Sequence, residues 1–299
     1  MDNKRKLLIQ SLAALVQNAD FRGFFSGRVS GAATKKVCVP GLNCYSCPSA
    51  VGACPIGSLQ SSLSSFSFRV PYYIIGLLIF FGALLGRAVC GFLCPFGLLQ
   101  DLLHKIPFFK KIKTFKADKY LRFIKYAVLI FGVIILPVFI KLTPVFCKYL
   151  CPSGTLAGLL LAFSDTKLFA LFGGRFMWKA CILGIITLAS VIIYRPFCKY
   201  LCPLGAFYAP FNKVSLLQIK TDAEKCTNCK ACFRACDMCV DPSLHPDSTE
   251  CIRCGKCISA CPEGAIHYST LLSKGASLQN NKMKTAEVEY EQEEKAGTD

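Results

Sequence analysis

Apolar blocks separated by short basic stretches dominate the first two thirds of this chain. Residues 70–86 form 17 consecutive uncharged positions bracketed by Arg69 and Arg87. Residues 126–140 lie between Lys125 and Lys141, and residues 180–194 between Lys179 and Arg195, each a run of 15. A bilayer asks for roughly 20 apolar residues per helix, so these runs predict three transmembrane helices whose flanking Lys and Arg snorkel, or around which the bilayer thins. Phe123 and Ile124 extend the second run, and Phe176, Met177 and Trp178 the third. A fourth run, 156–163, is interrupted by Asp165 and Lys167 before 168–172 resumes, and it reads as re-entrant or amphipathic. At the N-terminus, Lys4, Arg5 and Lys6 precede the run 7–16, which Gln10 and Ser11 break. That run is too short to span and has no small-x-small cleavage pattern after it, so it predicts an interfacial amphipathic helix.

Charge sets the orientation. The 104–125 connection carries Lys105, Lys110, Lys111, Lys113, Lys116, Lys119, Arg122 and Lys125 against Asp118, which places it in the cytosol. The region after Arg195 then returns to the cytosol, provided that 156–172 does not cross. Arg22, Arg28, Lys35 and Lys36 fall outside on this topology, against the same rule. Beyond the last span, 219–270 turns polar and dense in cysteine, and from about 272 the chain is Lys, Glu, Asn and Gln, as in a disordered tail. Four units result: 1–37, an amphipathic helix and linker; 38–215, a membrane bundle; 216–271, a soluble domain; and 272–299, the tail.

Composition agrees with a membrane protein: 53% apolar and 18% charged residues, with a mean hydropathy of +0.44. The formal charge of +17 therefore reads as loops loaded with Lys and Arg, not as a nucleic-acid surface. His104, His245 and His267 all lie outside the apolar runs, so no haem is expected in the bundle. The sequence has no C-x-x-C-H, no G-x-G-x-x-G and no Walker A loop. The chemistry is left to 20 cysteines.

Eight of them form two runs, Cys226-x2-Cys229-x2-Cys232-x3-Cys236 and Cys251-x2-Cys254-x2-Cys257-x3-Cys261-Pro262. This doubled spacing is the bacterial two-cluster pattern, in which the fourth cysteine of each run ligates the other cluster. Cys226, Cys229, Cys232 and Cys261 are thus assigned to one [4Fe-4S] cluster, and Cys251, Cys254, Cys257 and Cys236 to the second. Zinc would favour paired C-x2-C motifs, and disulfides would be out of place in a reducing cytosol. Cys236 is followed by Asp237 where the pattern has proline. Cys239, a spare thiol, reads as a small buried residue.

A second set repeats. Cys90-x3-Cys94-Pro95-x-Gly97, Cys147-x3-Cys151-Pro152-x-Gly154 and Cys198-x3-Cys202-Pro203-x-Gly205 share one form, and Cys54-Pro55-x-Gly57 echoes it after Cys38, Cys44 and Cys47. Four-residue spacing sets both sulfurs on one face of a helical turn, and the proline starts the next. Cys90, Cys94, Cys198 and Cys202 fall on the same side and supply the thiolates of a membrane-proximal cluster. Cys38, Cys44, Cys47, Cys54, Cys147 and Cys151 compete for the places of a further one. Disulfides or plain packing are the alternatives there. Cys181 reads as core, and Arg195, Lys199 and Lys148 as interfacial anchors.

Together these motifs resemble the membrane polyferredoxins of the NapH/NosR type, over about residues 38–268. The resemblance implies an all-α membrane bundle of three or four transmembrane helices plus an interfacial helix, joined to a C-terminal α+β bacterial-type 2[4Fe-4S] ferredoxin domain. It also implies single-electron relay between a quinol or ferredoxin donor and a redox partner, in a multi-pass protein of the bacterial inner membrane. Expected partners are lipid and redox proteins (ferredoxin, quinone-reactive or reductase subunits), not nucleic acid. Three C-x3-C-P copies and the 38–54 group depart from the nitrate-reductase type. A flavin is not indicated, since Ser30–Thr34 is one residue too long for an attachment motif. Rival readings are a cluster-based reductase of a metal ion or small oxidant, and a membrane redox sensor.

Overall fold

The structure, a computed structural model, describes residues 3–20, 35, 37–64, 71–107, 111–114, 117–139, 143–164 and 173–270. The expectations for Arg22, Arg28, Lys36, Ser30–Thr34, 165–172 and the tail lie outside these residues. Helix α1 (Asn3–Gln17) is followed by the cysteine-bearing 38–54 segment and α2 (Pro55–Leu63). Then come α3 (Tyr72–Leu85), α4 (Ala88–Phe92) and α5 (Pro95–Lys105). A long helix α6 (Asp118–Phe139) precedes α7 (Val145–Tyr149) and α8 (Pro152–Ser164). Helix α9 (Gly174–Ile192) leads into α10 (Pro196–Tyr200) and α11 (Pro203–Tyr208).

Two of these helices, α6 and α9, are long and apolar enough to cross a membrane, while α3 and the apolar part of α8, Pro152–Ala162, are shorter. Only 17% and 11% of the apolar stretches of α6 and α9 are buried. Ile130, Phe131, Ile134, Ile185 and Leu188 face outward and are exposed. In water so much bare apolar surface would be costly; against lipid it is not.

Helix α1 is turned the same way. Lys6, Gln10 and Gln17 are its buried residues, whereas Leu8, Leu12, Leu15 and Val16 are exposed. Its apolar face points away from the protein, as an interfacial helix requires. Helix α6 widens to π-helical winding over Val128–Ile135, just before Pro137, whose missing N–H cannot close a regular turn. The Gly132 carbonyl accepts 2.8 Å from Gln60 Nε2 of α2, and Gln60 Oε1 accepts from the Cys147 amide at 3.3 Å.

After α11 the chain enters an antiparallel pair, β1 (Leu217–Thr221) and β2 (Ile266–Thr270), with Ile219 opposite Tyr268. Between them lie the two cysteine runs and two short helices, α12 (Ala231–Ala235) and α13 (Lys256–Ser259). Asn228, Lys230, Arg253 and Gly255 adopt positive φ and fold each run into a tight loop. This head is clamped to the bundle. Arg253 is 1% exposed and donates to Ser215 Oγ at 2.5 Å and to the Asn212 carbonyl at 2.5 Å. Asn212 donates at 2.8 Å to the carbonyls of Ser248 and Cys251.

Candidate iron-sulfur sites

The C-P-x-G form has a local physical cause. Each motif cysteine with an assigned cap, Cys54, Cys94 and Cys202, has extended backbone just before a helix whose first residue is the proline. The sulfur takes the place of an N-cap oxygen: Gly205 N–H donates to Cys202 Sγ at 3.4 Å. Such N–H···S bonds favour negative charge on sulfur and tune whatever the sulfur binds.

Two copies of the repeat face each other. Cys90, Cys94, Cys198 and Cys202 are all buried in one core. Burial pushes the Cys198 thiol up to about 12, with Cys94 and Cys90 adding to it. Cys202 is raised well above its usual value, by burial and then by Cys198, Cys90 and Cys94. Four thiols that oppose one another's ionisation in an apolar core become stable thiolates only with a cationic partner, a charge that iron would supply. Gln100 Nε2 donates to Cys198 Sγ at 3.2 Å.

Arg87 and Arg195, each three residues before the first cysteine of its copy, are 0% exposed. Arg195 is held by Asp101 through two 2.6 Å contacts, and Lys6 adds a third at 2.8 Å. Arg87 pairs with Glu250 at 2.9 Å, which also takes Lys125. Lys199 is 1% exposed and meets Asp118 at 2.5 Å. Arg195 and Lys199 are therefore internal ion-pair partners and not interfacial anchors. The pattern R-x2-C-x3-C-P-x-G, present at 87–97 and 195–205 but not around Cys147, was the signal in the sequence.

Of the six competitors for a further site, Cys44, Cys54, Cys147 and Cys151 line one cavity of about 520 Å³. Cys147 Sγ lies 3.7 Å from the Cβ position of Gly57, and Cys44 Sγ 3.7 Å from that of Gly154. Cys44 thus stands to Gly154 as Cys147 stands to Gly57, as the first cysteine of a pair of which Cys54 is the second. Cys38 Sγ instead donates to Ser58 Oγ at 3.5 Å, and Cys47 Sγ contacts Ser49 Oγ at 3.3 Å. Neither lines the cavity.

In the head, Cys226, Cys229, Cys232 and Cys261 surround one small cavity. Cys236, Cys251, Cys254 and Cys257 form the second group, where burial and mutual repulsion push Cys251 and Cys257 up to about 12. No three His, Cys, Asp or Glu side chains among the described residues close on a single ion. Four-iron clusters are held by Cys thiolates, and the donor chemistry of these all-cysteine sets is of that kind. All twenty cysteines are free thiols. Cys239 is half-buried and donates to the Lys113 carbonyl at 3.2 Å. Cys181, expected in the core, is exposed on α9, as are Met177, Trp178, Ile185 and Leu188 of the same helix.

The sets adjoin. Gly91, beside Cys90, packs so closely on the head that a Cβ there would collide with the carbonyl oxygen of Ile252, the residue after Cys251. Tyr208 is 0% exposed and lies within electrostatic reach of Cys90, Cys94 and Cys54.

A 4Fe-4S binding domain family matches this chain at residues 70–116, 125–169 and 174–221, and a second 4Fe-4S binding domain matches at 244–267. An uncharacterized protein of Methanocaldococcus jannaschii, MJ0750, is 30% identical over 197 residues, covering 64% of this chain and 75% of its own. A protein named for electron transport, YccM of Escherichia coli K12, is 29% identical over 60% of this chain and 50% of its own. The regulatory protein NosR of Pseudomonas aeruginosa is 30% identical over 54% of this chain and 21% of its own. The chain belongs to the NapH/NosR-type polyferredoxin family. As a polyferredoxin it is an iron-sulfur protein with an electron-transfer role, and two of its helices are long and apolar enough to cross a membrane. It spans less than two thirds of the length of most curated relatives it matches. No solved structure matches it.

Proposed function

We propose that this polyferredoxin relays single electrons between a membrane or cytosolic donor, a quinol or a ferredoxin, and a redox partner protein. It would do so as a multi-pass protein of the bacterial inner membrane, with the head and the 104–125 connection in the cytosol. The observation that carries this reading is the close approach of Gly91 to Ile252, which sets the residue after Cys90 against the residue after Cys251. Cys226, Cys229, Cys232 and Cys261 would hold one [4Fe-4S] cluster, and Cys236, Cys251, Cys254 and Cys257 another. Cys90, Cys94, Cys198 and Cys202 would hold a third, and Cys44, Cys54, Cys147 and Cys151 a fourth. Bound clusters supply one-electron redox capacity. The chain's part is to space the four sets, keep water from them and set the charge around each. Helix α3 and the α8 region, too short to span alone, would complete a bundle of three or four crossings.

Counting iron and acid-labile sulfide in anaerobically purified protein tests this. Four sites predict about 16 irons per chain, against about 8 for the head alone. A value held at 8 after reconstitution overturns the relay through the bundle.

A further inference from the structure

A cavity of about 230 Å³ lies where α1, the end of α5, the 111–113 segment and the head loops meet. The relay makes no use of it. Gln10, one of its lining residues, is 2% exposed, and its amide nitrogen has no hydrogen-bond partner among the described residues. A buried donor left without an acceptor is unfavourable, and it is repaired when a ligand brings an oxygen.

The surrounding charge says which kind of oxygen. Lys6 and Lys256 line the cavity, and each is already matched by a carboxylate, Asp101 and Asp237 respectively. Lys105, Lys111 and Lys113 stand exposed at the mouth, and none has a carboxylate partner among the described residues. Lys113 alone is engaged, donating to the Arg234 carbonyl at 2.6 Å. Five lysines against two aspartates leave the cavity cationic. A neutral acceptor would leave those ammonium groups unanswered, and a cation would be repelled.

We propose that this cavity is a binding site for a small oxyanion of the phosphate or carboxylate class, gripped by the Gln10 amide and the mouth lysines. Its place makes it a redox-linked site. Tyr194 forms part of the wall and belongs to the apolar cluster against which Cys236, Cys251 and Cys254 pack. Lys6 and Lys256 lie within electrostatic reach of Cys254. An anion here adds negative charge beside that set, so it binds more tightly when the set is oxidised and lowers its reduction potential reciprocally. This linkage rests on the relay reading; the binding itself does not.

The test uses full-length protein, purified without oxygen in a neutral detergent and air-free oxidised. Radiolabelled inorganic phosphate is followed by equilibrium dialysis, with dioleoyl phosphatidylglycerol as competitor in a second arm and dioleoyl phosphatidylcholine as its control. Saturable binding of one phosphate per chain is expected. It should weaken at least tenfold in Gln10→Leu and in the Lys111→Gln/Lys113→Gln double variant, with iron content unchanged. Displacement by phosphatidylglycerol but not phosphatidylcholine identifies a lipid headgroup as the source of the anion; no displacement identifies a free one. No saturable binding of either, or binding unaltered in both variants, overturns the site. Where binding holds, a titration of the potential follows, with each tenfold preference for the oxidised state corresponding to a shift of about 59 mV. An unmoved potential removes the linkage and leaves the site.

Discussion

Arg87 and Arg195 reach across the bundle to each other's motif: Arg87 Nη2 donates to the Cys198 carbonyl at 3.3 Å, and Arg195 Nη1 to the Cys90 carbonyl at 2.6 Å. Each cysteine loop is thereby pinned by the arginine of the opposite copy. Substituting Arg195→Ala leaves Asp101 with Lys6 as its remaining cation and frees the Cys90 loop. Losing one partner of a buried ion pair costs about 3–5 kcal/mol. The variant should lose about four irons per chain, those of one cluster, while the head keeps its electron paramagnetic resonance signals. A variant with full iron content would show that the arginine exchange does not hold the site.

The Asp101 carboxyl gives this clamp a pH dependence. Burial pushes it up, but Arg195 and Lys6 outweigh burial and hold it well below the usual carboxylate range. A depressed carboxyl stabilises the fold above its unfolded value of about 3.9, and that contribution fades as pH falls through the lower folded value. Thermal melting followed by circular dichroism should therefore stay flat from pH 7 to about 4, and drop below that. Asp101→Asn should melt earlier at pH 7 and show a shallower acid decline. Equal acid slopes in the two proteins would remove Asp101 from the account.

Gly91→Ala is expected to push the head away from the bundle without touching a cysteine. Overpacking of this kind costs about 1–3 kcal/mol. All clusters should remain, with weaker magnetic coupling between the head and the bundle and slower reoxidation of the bundle when the head is oxidised. Unchanged coupling would place the electron path elsewhere.

Serine scanning separates the N-terminal cysteines. Cys44→Ser and Cys54→Ser should each lower iron by about four per chain. Cys38→Ser and Cys47→Ser should leave it intact, because their sulfurs face Ser58 and Ser49. Loss of iron in Cys47→Ser but not in Cys44→Ser would reverse the assignment.

Much of this was legible in the sequence. The head's crossed cysteine sets follow from spacing, because a tight loop cannot bring its own fourth cysteine round. The pairing of Cys90/Cys94 with Cys198/Cys202 followed from counting helices. Three things were not legible. The choice of Cys44 over Cys47 depends on how the 38–54 segment packs against Gly154, a contact between distant parts of the chain. Arg195 and Lys199 look like interfacial anchors because the same residue types snorkel at helix ends, and only their carboxylate partners, Asp101 and Asp118, show otherwise. Helix α3 is shorter than the apolar run that contains it: Pro71 stands before its first residue, and the chain turns at Gly86, whose positive φ (54°) suits glycine.

The grip of Arg253 and Asn212 on the head decides how this protein meets the outside. A carrier domain on a free tether can swing between a loading and an unloading station; one bolted through two buried side chains has no swing. On the relay proposed above, soluble proteins would dock at the fixed rim where Cys229 is exposed. Throughput there is then governed by the visitor's concentration, charge and the ionic strength, not by the tempo of a moving arm.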